Sequence, residues 1–561
     1  MMDGGAILAC FAPDCSPRGG RLLRHGSLTC AEIVDSISIP LYEHSQESIS
    51  NRTDSGQTIG KSKSWTLGAP RRDPLSWRKR GWMKLLFAQK LRPHAADASI
   101  AFGPLFIVTF VIGLVYVFRS PITTAGDSAQ YIAIADALIG RPGAEFIYYR
   151  TWGYPLFLVL CGYPWLHSVK VVIGVQLVLG STVPWLIAES LRRLGVSRPL
   201  SLAAALTSIV SLSPVLLAHV LLSDQVNLFL LYLVIWLLVR VLRPSEHVGW
   251  QQSISLAAVF VALSLLRPAN VAMGICVLGV ALVFFPAISR ATVGRALSLV
   301  VIAIAFLSLK PVERAHAYLH SEPFEQGSLS GAMFFWNIYA SGAAFAGEPV
   351  LKPTNGPCSE TIYETVRRNV DSVKNYSGTA DEALNTPTLL SHYAIWQSLE
   401  RLGLKQMNDI FWCAAFEGIK AEPKSLLYFV DGMISFFLVS DVIYNDGHRQ
   451  AWPSARYYSG AIDKKFGAWA LSVGTAIKIL AFAVAICTFV ATFTASPERR
   501  AAVIAIWTIV IYHAAVHVVF AAPHWRYTLV IIPALVFLAA LGVDSAMGIS
   551  RRDAEKIETD E

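Results

Sequence analysis

Charged side chains are scarce in this sequence. They make up 15% of it, while 54% is hydrophobic, against about 25% charged residues in a typical soluble domain. A chain so poor in charge cannot cover a globular surface with polar groups, so a water-soluble fold is excluded as the main architecture. The signatures of many soluble enzymes are missing too: there is no P-loop, dinucleotide fingerprint, GxSxG elbow or zinc-ligand spacing. Eight cysteines occur without a CxxC pair. Cys161, Cys276 and Cys487 fall in apolar runs and read as packing residues. Cys358 and Cys413 share a long polar segment and could pair there if the compartment is oxidising.

What is present is a series of apolar runs approaching the ~20 residues that a helix needs to cross a bilayer. They are continuous and rich in Leu, Ala and Val. The ten-residue alternating segments of a transmembrane β-barrel are absent, so helices are expected. Spans are predicted near 101–118, 170–188, 199–213, 223–242, 252–266, 269–286, 297–312, 468–493, 502–521 and 527–544. The net charge of +8 could suggest nucleic acid, but the basic residues collect at the ends of these runs. With the N-terminus inside, the inner loops receive Arg192, Arg193 and Arg198, then Arg240 and Arg243, then Arg290 and Arg295, then Arg499 and Arg500, and finally Arg551 and Arg552. The short outer loop near Ser213–Leu222 has no Lys or Arg; Arg119 and Lys170 are the exceptions to the pattern.

Five regions follow. Residues 1–95 are basic, rich in Ser, Gly and Pro, and expected to be a mostly disordered cytoplasmic N-terminus, with Met83 as a second candidate start. Residues 96–312 form an N-terminal transmembrane module that includes a first outer loop, 119–168. Residues 313–467 form a large extracytoplasmic segment. Its apolar patch Leu426–Val439 contains Asp431 and reads as an interfacial or re-entrant helix, since another span would reverse the charge parity. Residues 468–545 hold the C-terminal spans, and 546–561 a cytoplasmic tail.

Ionisable residues near membrane spans are costly and ask for a reason. Here they gather at one predicted face, far apart in sequence: Asp127 in Gly126-Asp127-Ser128 with Tyr131, Arg150 in Arg150-Thr151-Trp152-Gly153-Tyr154-Pro155, Ser223-Asp224, Leu266-Arg267-Pro268, and His524-Trp525-Arg526-Tyr527. In order and sidedness this set resembles the GT-C superfamily of polyprenyl-phosphate-dependent glycosyltransferases, in its protein-mannosyltransferase-like bacterial branch. The resemblance covers roughly residues 100–310 and 468–545. Trp152 stands where relatives carry a small residue or Pro, and Asp224 where they often carry Glu. The resemblance implies an all-α polytopic membrane protein of GT-C architecture, with roughly ten transmembrane helices, juxtamembrane helices in the first outer loop and a large outer segment. It also implies inverting transfer of a sugar, hexosyl or pentosyl, in a bacterial inner (plasma) membrane. The partners implied are a polyprenyl-phosphate-linked donor, membrane lipids and a glycan, lipid or protein acceptor.

The residues themselves fit that chemistry. A carboxylate within reach of an acceptor hydroxyl can act as general base, and guanidinium groups suit phosphate. A phosphate is a fair leaving group, so the paired carboxylates of glycosidases are not required. Asp127 is the candidate base; Arg150, Arg267 and Arg526 are candidate donor-phosphate contacts; His524, Tyr527 and Tyr154 line the site. Asp224 is a second carboxylate that could hold a divalent metal or orient the acceptor; no cofactor is otherwise called for. Plainer readings stand beside these. Asp127-x-x-Gln130 is close to a capping box, Arg267 could snorkel, and His524, Trp525 and Tyr527 could belong to an aromatic belt. His513 and His517 share a helix face at metal-ligand spacing, but two packed histidines are the simpler reading. The rival class is a transporter or lipid flippase, which also uses intramembrane charges but often carries internal repeats; none is visible here.

Overall fold

The computed structural model describes residues 102–119, 126–144, 146–243, 249–321, 324, 329–342, 349–373, 376–385, 389–438, 461–520 and 525–560; the expected disordered N-terminus lies outside the described residues, as do the side chains of Arg119, Pro268, Trp525 and Arg526. Every regular element among them is a helix. The N-terminal module contains α1 (Phe102–Arg119), α2 (Gly126–Leu138), α3 (Gly153–Leu160), α4 (Val169–Arg193), α5 (Arg198–Val210), α6 (Asp224–Leu242), α7 (Gly249–Leu266), α8 (Val271–Phe284) and α9 (Ala287–Ser308). The polar segment carries α10 (Pro311–His320), α11 (Ser330–Trp336), α12 (Pro357–Asn369), α13 (Leu389–Leu399), α14 (Leu404–Ala421) and α15 (Leu427–Leu438). The chain ends in α16 (Ala461–Cys487), α17 (Pro497–Phe520) and α18 (Trp525–Asp560).

Each of the ten predicted spans falls on a helix, but among the described residues only six stretches are long and apolar enough to cross a membrane by themselves: 169–193, 224–242, 249–266, 287–320, 497–520 and 527–548. The shorter apolar helices are 102–118, 198–210, 271–284 and 472–487. α2 and α3 occupy the first loop, as expected of juxtamembrane helices. The spans are not equivalent. The windows in α6 and α18 are 72% and 78% buried, against 22% for the stretch containing α9, so α6 and α18 make the centre. Tyr232 of α6 donates to the Val530 carbonyl of α18 at 2.9 Å, tying the two together.

The segment expected as a short outer loop, Ser213–Leu222, is not exposed. Leu212 enters the left-handed region (φ 56°) and stops α5, and every residue from 211 to 228 is buried. Irregular backbone at such depth survives only if the protein itself satisfies it. Gln176 of α4 donates to the carbonyls of Ala218 and Val220, both at 2.9 Å. Ser128 of α2 donates to Leu221 at 2.8 Å, and Gln225 to Pro214 at 2.6 Å. Gly180 permits the close approach, because a Cβ there would meet the Pro214 carbonyl and the Gln225 amide. Side-chain amides from a helix thus replace the water that an exposed loop would use.

The polar segment has its own core, in which Phe335, Ile362, Val366, Phe411 and Ala415 are buried. Cys358 at the start of α12 is bonded to Cys413 of α14. Glu417, one turn on from Cys413, accepts from the backbone N–H groups of Cys358 (3.0 Å) and Ser359 (2.8 Å). A carboxylate at a helix N-terminus satisfies donors that have no intrahelical partner and opposes the helix dipole. Among the described residues the apolar patch in this segment forms the 12-residue helix α15. Its Gly432 packs on Val518 of α17, while Leu427, Val430 and Ile434 point outward.

Candidate functional site

Three local features bring the charged residues together. α2 places Asp127 in its first turn and Gln130 one turn on, so both share a face. The Arg150–Pro155 turn docks on the end of α7. Thr151 donates to the Leu266 carbonyl at 3.2 Å, and Gly153 lies so close to the backbone of Leu265 and Leu266 that a Cβ would collide with it. The buried loop then delivers Ser223 and Asp224 to the start of α6, where a carboxylate is favoured by the helix dipole.

The result is two carboxylate–guanidinium pairs. In the first, Arg150 Nη2 meets Asp127 Oδ1 at 2.6 Å, with side chains 26% and 30% exposed. Arg150 Nε donates to Gln130 Oε1 at 2.6 Å, and Gln130 in turn donates to the Tyr149 hydroxyl at 3.1 Å. The Asp127-x-x-Gln130 spacing, which reads as a capping box in the sequence, serves here to grip an arginine. In the second pair, Arg267 meets Asp224, with side chains only 11% and 2% exposed. Arg267 Nε donates to Ser223 Oγ at 3.2 Å, and its guanidinium lies 5.1 Å from the centre of the Tyr527 ring.

Tyr131 stands between the pairs. Its ring lies 6.0 Å from the Arg150 guanidinium carbon, and its hydroxyl faces Ser223. Burial, and then the Asp127 carboxylate, hold this phenol above its ordinary range, so at neutral pH it is a neutral donor. Behind the second pair, His517 Nδ1 must donate to the His513 carbonyl at 2.7 Å, which leaves Nε2 to accept from Arg267 Nη1 at 3.4 Å. His513 Nε2 likewise donates to the Tyr527 carbonyl at 3.2 Å. The two histidines are packed and hydrogen-bonded, with rings 4.1 Å apart.

The sequence-selected residues therefore divide. Asp127, Arg150, Asp224, Arg267 and Tyr527 converge. Tyr154 sits one layer behind: it is fully buried and donates to Gln176 Oε1 at 2.7 Å, holding the amide that supports the loop. Burial raises its phenol well above the ordinary range. His524 and the Arg526 side chain lie outside the described residues. Sequence reasoning passed over Gln130, Tyr149 and Ser223 as contacts, although Gln130 carried a usable signal in its helical spacing from Asp127. It also passed over Lys478, which is fully buried in the span of α16.

The one grouping of three or more His, Cys, Asp or Glu residues with ligand atoms close enough to hold a metal ion, among the described residues, is Cys358, Cys413 and Glu417. There the sulfurs are bonded to each other and the carboxylate caps α12. Asp224 is engaged by a guanidinium.

Fold and site define a multi-pass helical membrane protein with a polar cluster built from α2, the turn before α3, the start of α6, the residue that follows α7, and the start of α18. No protein-family profile and no curated protein matches the chain. Among solved structures it is similar to a crystal structure of ArnT from Cupriavidus metallidurans bound to undecaprenyl phosphate, at 12% identity over 80% of this chain and 78% of that one, with a TM-score of 0.32.

Proposed function

We propose that this protein is a GT-C-type glycosyltransferase that moves one sugar from a polyprenyl-phosphate carrier to an acceptor on the outer side of a bacterial inner membrane. The observation that carries this reading is the accessible Asp127–Arg150 pair beside apolar spans. It sets a carboxylate and a guanidinium side by side, each with one edge not used by the protein among the described residues. Such a pair can receive a hydroxyl on the carboxylate and an anion on the guanidinium, which are the two things that transfer from a lipid phosphate requires.

Asp127 is the general base in this reading and Arg150 the best-supported phosphate contact. Arg267 and Asp224, also chosen from sequence, are mostly taken up by each other, which favours a supporting role behind the reacting groups. The anionic donor keeps its tail in the bilayer, and the acceptor, a glycan, lipid or protein, arrives from outside. The paired cysteines at 358 and 413 agree with an oxidising compartment for the polar segment. The test has two arms. Membranes containing the protein are supplied with radiolabelled polyprenyl-phosphate sugars, and label is followed into lipid, glycan and protein fractions. Sealed vesicles are assayed in parallel for uptake. Transfer that needs Asp127 supports the reading, and uptake without transfer sinks it.

A further inference from the structure

Arg150 is held in an unusual way for a residue meant only to meet a ligand. Its Nε edge is fixed by Gln130, whose amide is itself fixed by the Tyr149 hydroxyl. Its Nη2 is fixed by Asp127. Nη1 has no protein hydrogen bond among the described residues, and the side chain is a quarter exposed. A guanidinium is planar and delocalised, so gripping Nε sets the direction of all its other donors. Arginine carries roughly 2 kcal/mol of rotamer entropy, and a grip of this kind removes that cost before a ligand arrives.

We propose that Gln130 is a positioning residue: with Tyr149 behind it, it holds Arg150 so that one guanidinium touches the base with one terminal nitrogen and the donor phosphate with the other. This rests on the glycosyltransferase reading above. In the reaction, the acceptor oxygen forms its bond to the anomeric carbon while the bond from that carbon to the phosphate oxygen breaks. The bonding pair leaves with the phosphate, and the acceptor proton goes to Asp127. Negative charge grows on the phosphate as the base takes up its proton. A guanidinium shared by both carries that change without moving: its hold on the phosphate strengthens as the carboxylate beside it is neutralised. A misplaced Arg150 would still bind an anion but would no longer join the two ends of the reaction.

The experiment measures affinity for undecaprenyl phosphate, used as a sugar-free probe, with the full-length protein in nanodiscs. Gln130→Met keeps the length of the side chain but removes the acceptor, and should weaken binding about tenfold, the order expected for a hydrogen bond to a charged group. Arg150→Ala should weaken it further, and Gln130→Met on top of Arg150→Ala should add nothing. Tyr149→Phe should give a smaller loss that also vanishes in the Arg150→Ala background. This variant keeps the test alive if Gln130→Met does not fold. Losses that multiply in the double variants mean that Gln130 and Tyr149 act on the fold and not through Arg150, which overturns the proposal. The wider reading fails separately: if Asp127→Asn still transfers sugar, the site assignment is wrong whatever Gln130 does.

Discussion

Two carboxylate–guanidinium pairs lie side by side in this protein, alike in chemistry and different in surroundings. Asp127–Arg150 is about a quarter to a third exposed, whereas Asp224–Arg267 is almost entirely enclosed. The open pair sits on a short juxtamembrane helix and a loop, the closed pair on the ends of two spans. Burial decides what such a pair can do. An enclosed pair loses hydration that its mutual attraction only just offsets, so it contributes mainly by being indispensable once formed. An accessible pair costs little to open, and its atoms remain available to a ligand. On the proposed reading the open Asp127–Arg150 pair is the one that reacts, and the closed Asp224–Arg267 pair supports it.

The largest expected effect breaks the open pair. Asp127→Asn keeps the shape and the helix-start preference but removes the basic carboxylate, so sugar transfer should fall by about two to four orders of magnitude while the protein stays folded. Near-normal transfer would remove Asp127 as the base and with it the site assignment. The closed pair should behave in the opposite way. Asp224→Ala takes the carboxylate from the enclosed Arg267 and should cost about 3–5 kcal/mol of stability, seen as lost yield or a lowered melting temperature in detergent. The double variant Asp224→Asn with Arg267→Gln should be more stable than either single change; if it is not, the pair is not acting as a unit.

Next in size comes Arg150→Ala, with an expected ten- to hundredfold loss of donor affinity and partial rescue by Lys, which lacks the planar fork. Unchanged affinity would remove Arg150 from the phosphate site. Gly153→Ala should be milder and more diagnostic. The added methyl meets the backbone of Leu265, so the turn must shift, at about 1–3 kcal/mol. Activity should fall more than stability, because Arg150 lies three residues away on the displaced turn. Equal falls in both would show that the turn only packs.

Much of this was legible in the sequence, and the reasons differ by level. Apolar runs report membrane helices because length and composition are nearly sufficient for insertion, and all ten predicted runs are helical. Convergence of Asp127, Arg150, Asp224 and Arg267 was legible because charges near spans rarely occur without partners. Partner choice was not: nothing in one dimension distinguishes Asp127 with Arg150 from Asp127 with Arg267. The burial of the Ser213–Leu222 segment, read in the sequence simply as a short outer loop, was not legible. Its satisfaction depends on Gln176 and Ser128, which lie in other elements and leave no mark on the segment itself. Tyr154 was selected with the motif it belongs to, and its hydroxyl turns inward for the same reason, to brace Gln176.

That buried loop also bears on how the molecule is made. Its carbonyl partners, Ser128 and Gln176, precede it in the chain, and Gln225 follows almost at once. As the loop leaves the ribosome, most of the groups that must replace water around it have already been synthesised, and the last follows at once. The Asp224 carboxylate has no such provision. Its partner Arg267 comes only after the whole of α6 and α7. The chain therefore carries an unmatched acid at the head of α6 until α7 has been laid alongside. Membrane insertion and completion of the site become successive steps of one assembly, and the order of synthesis sets which interval is the vulnerable one.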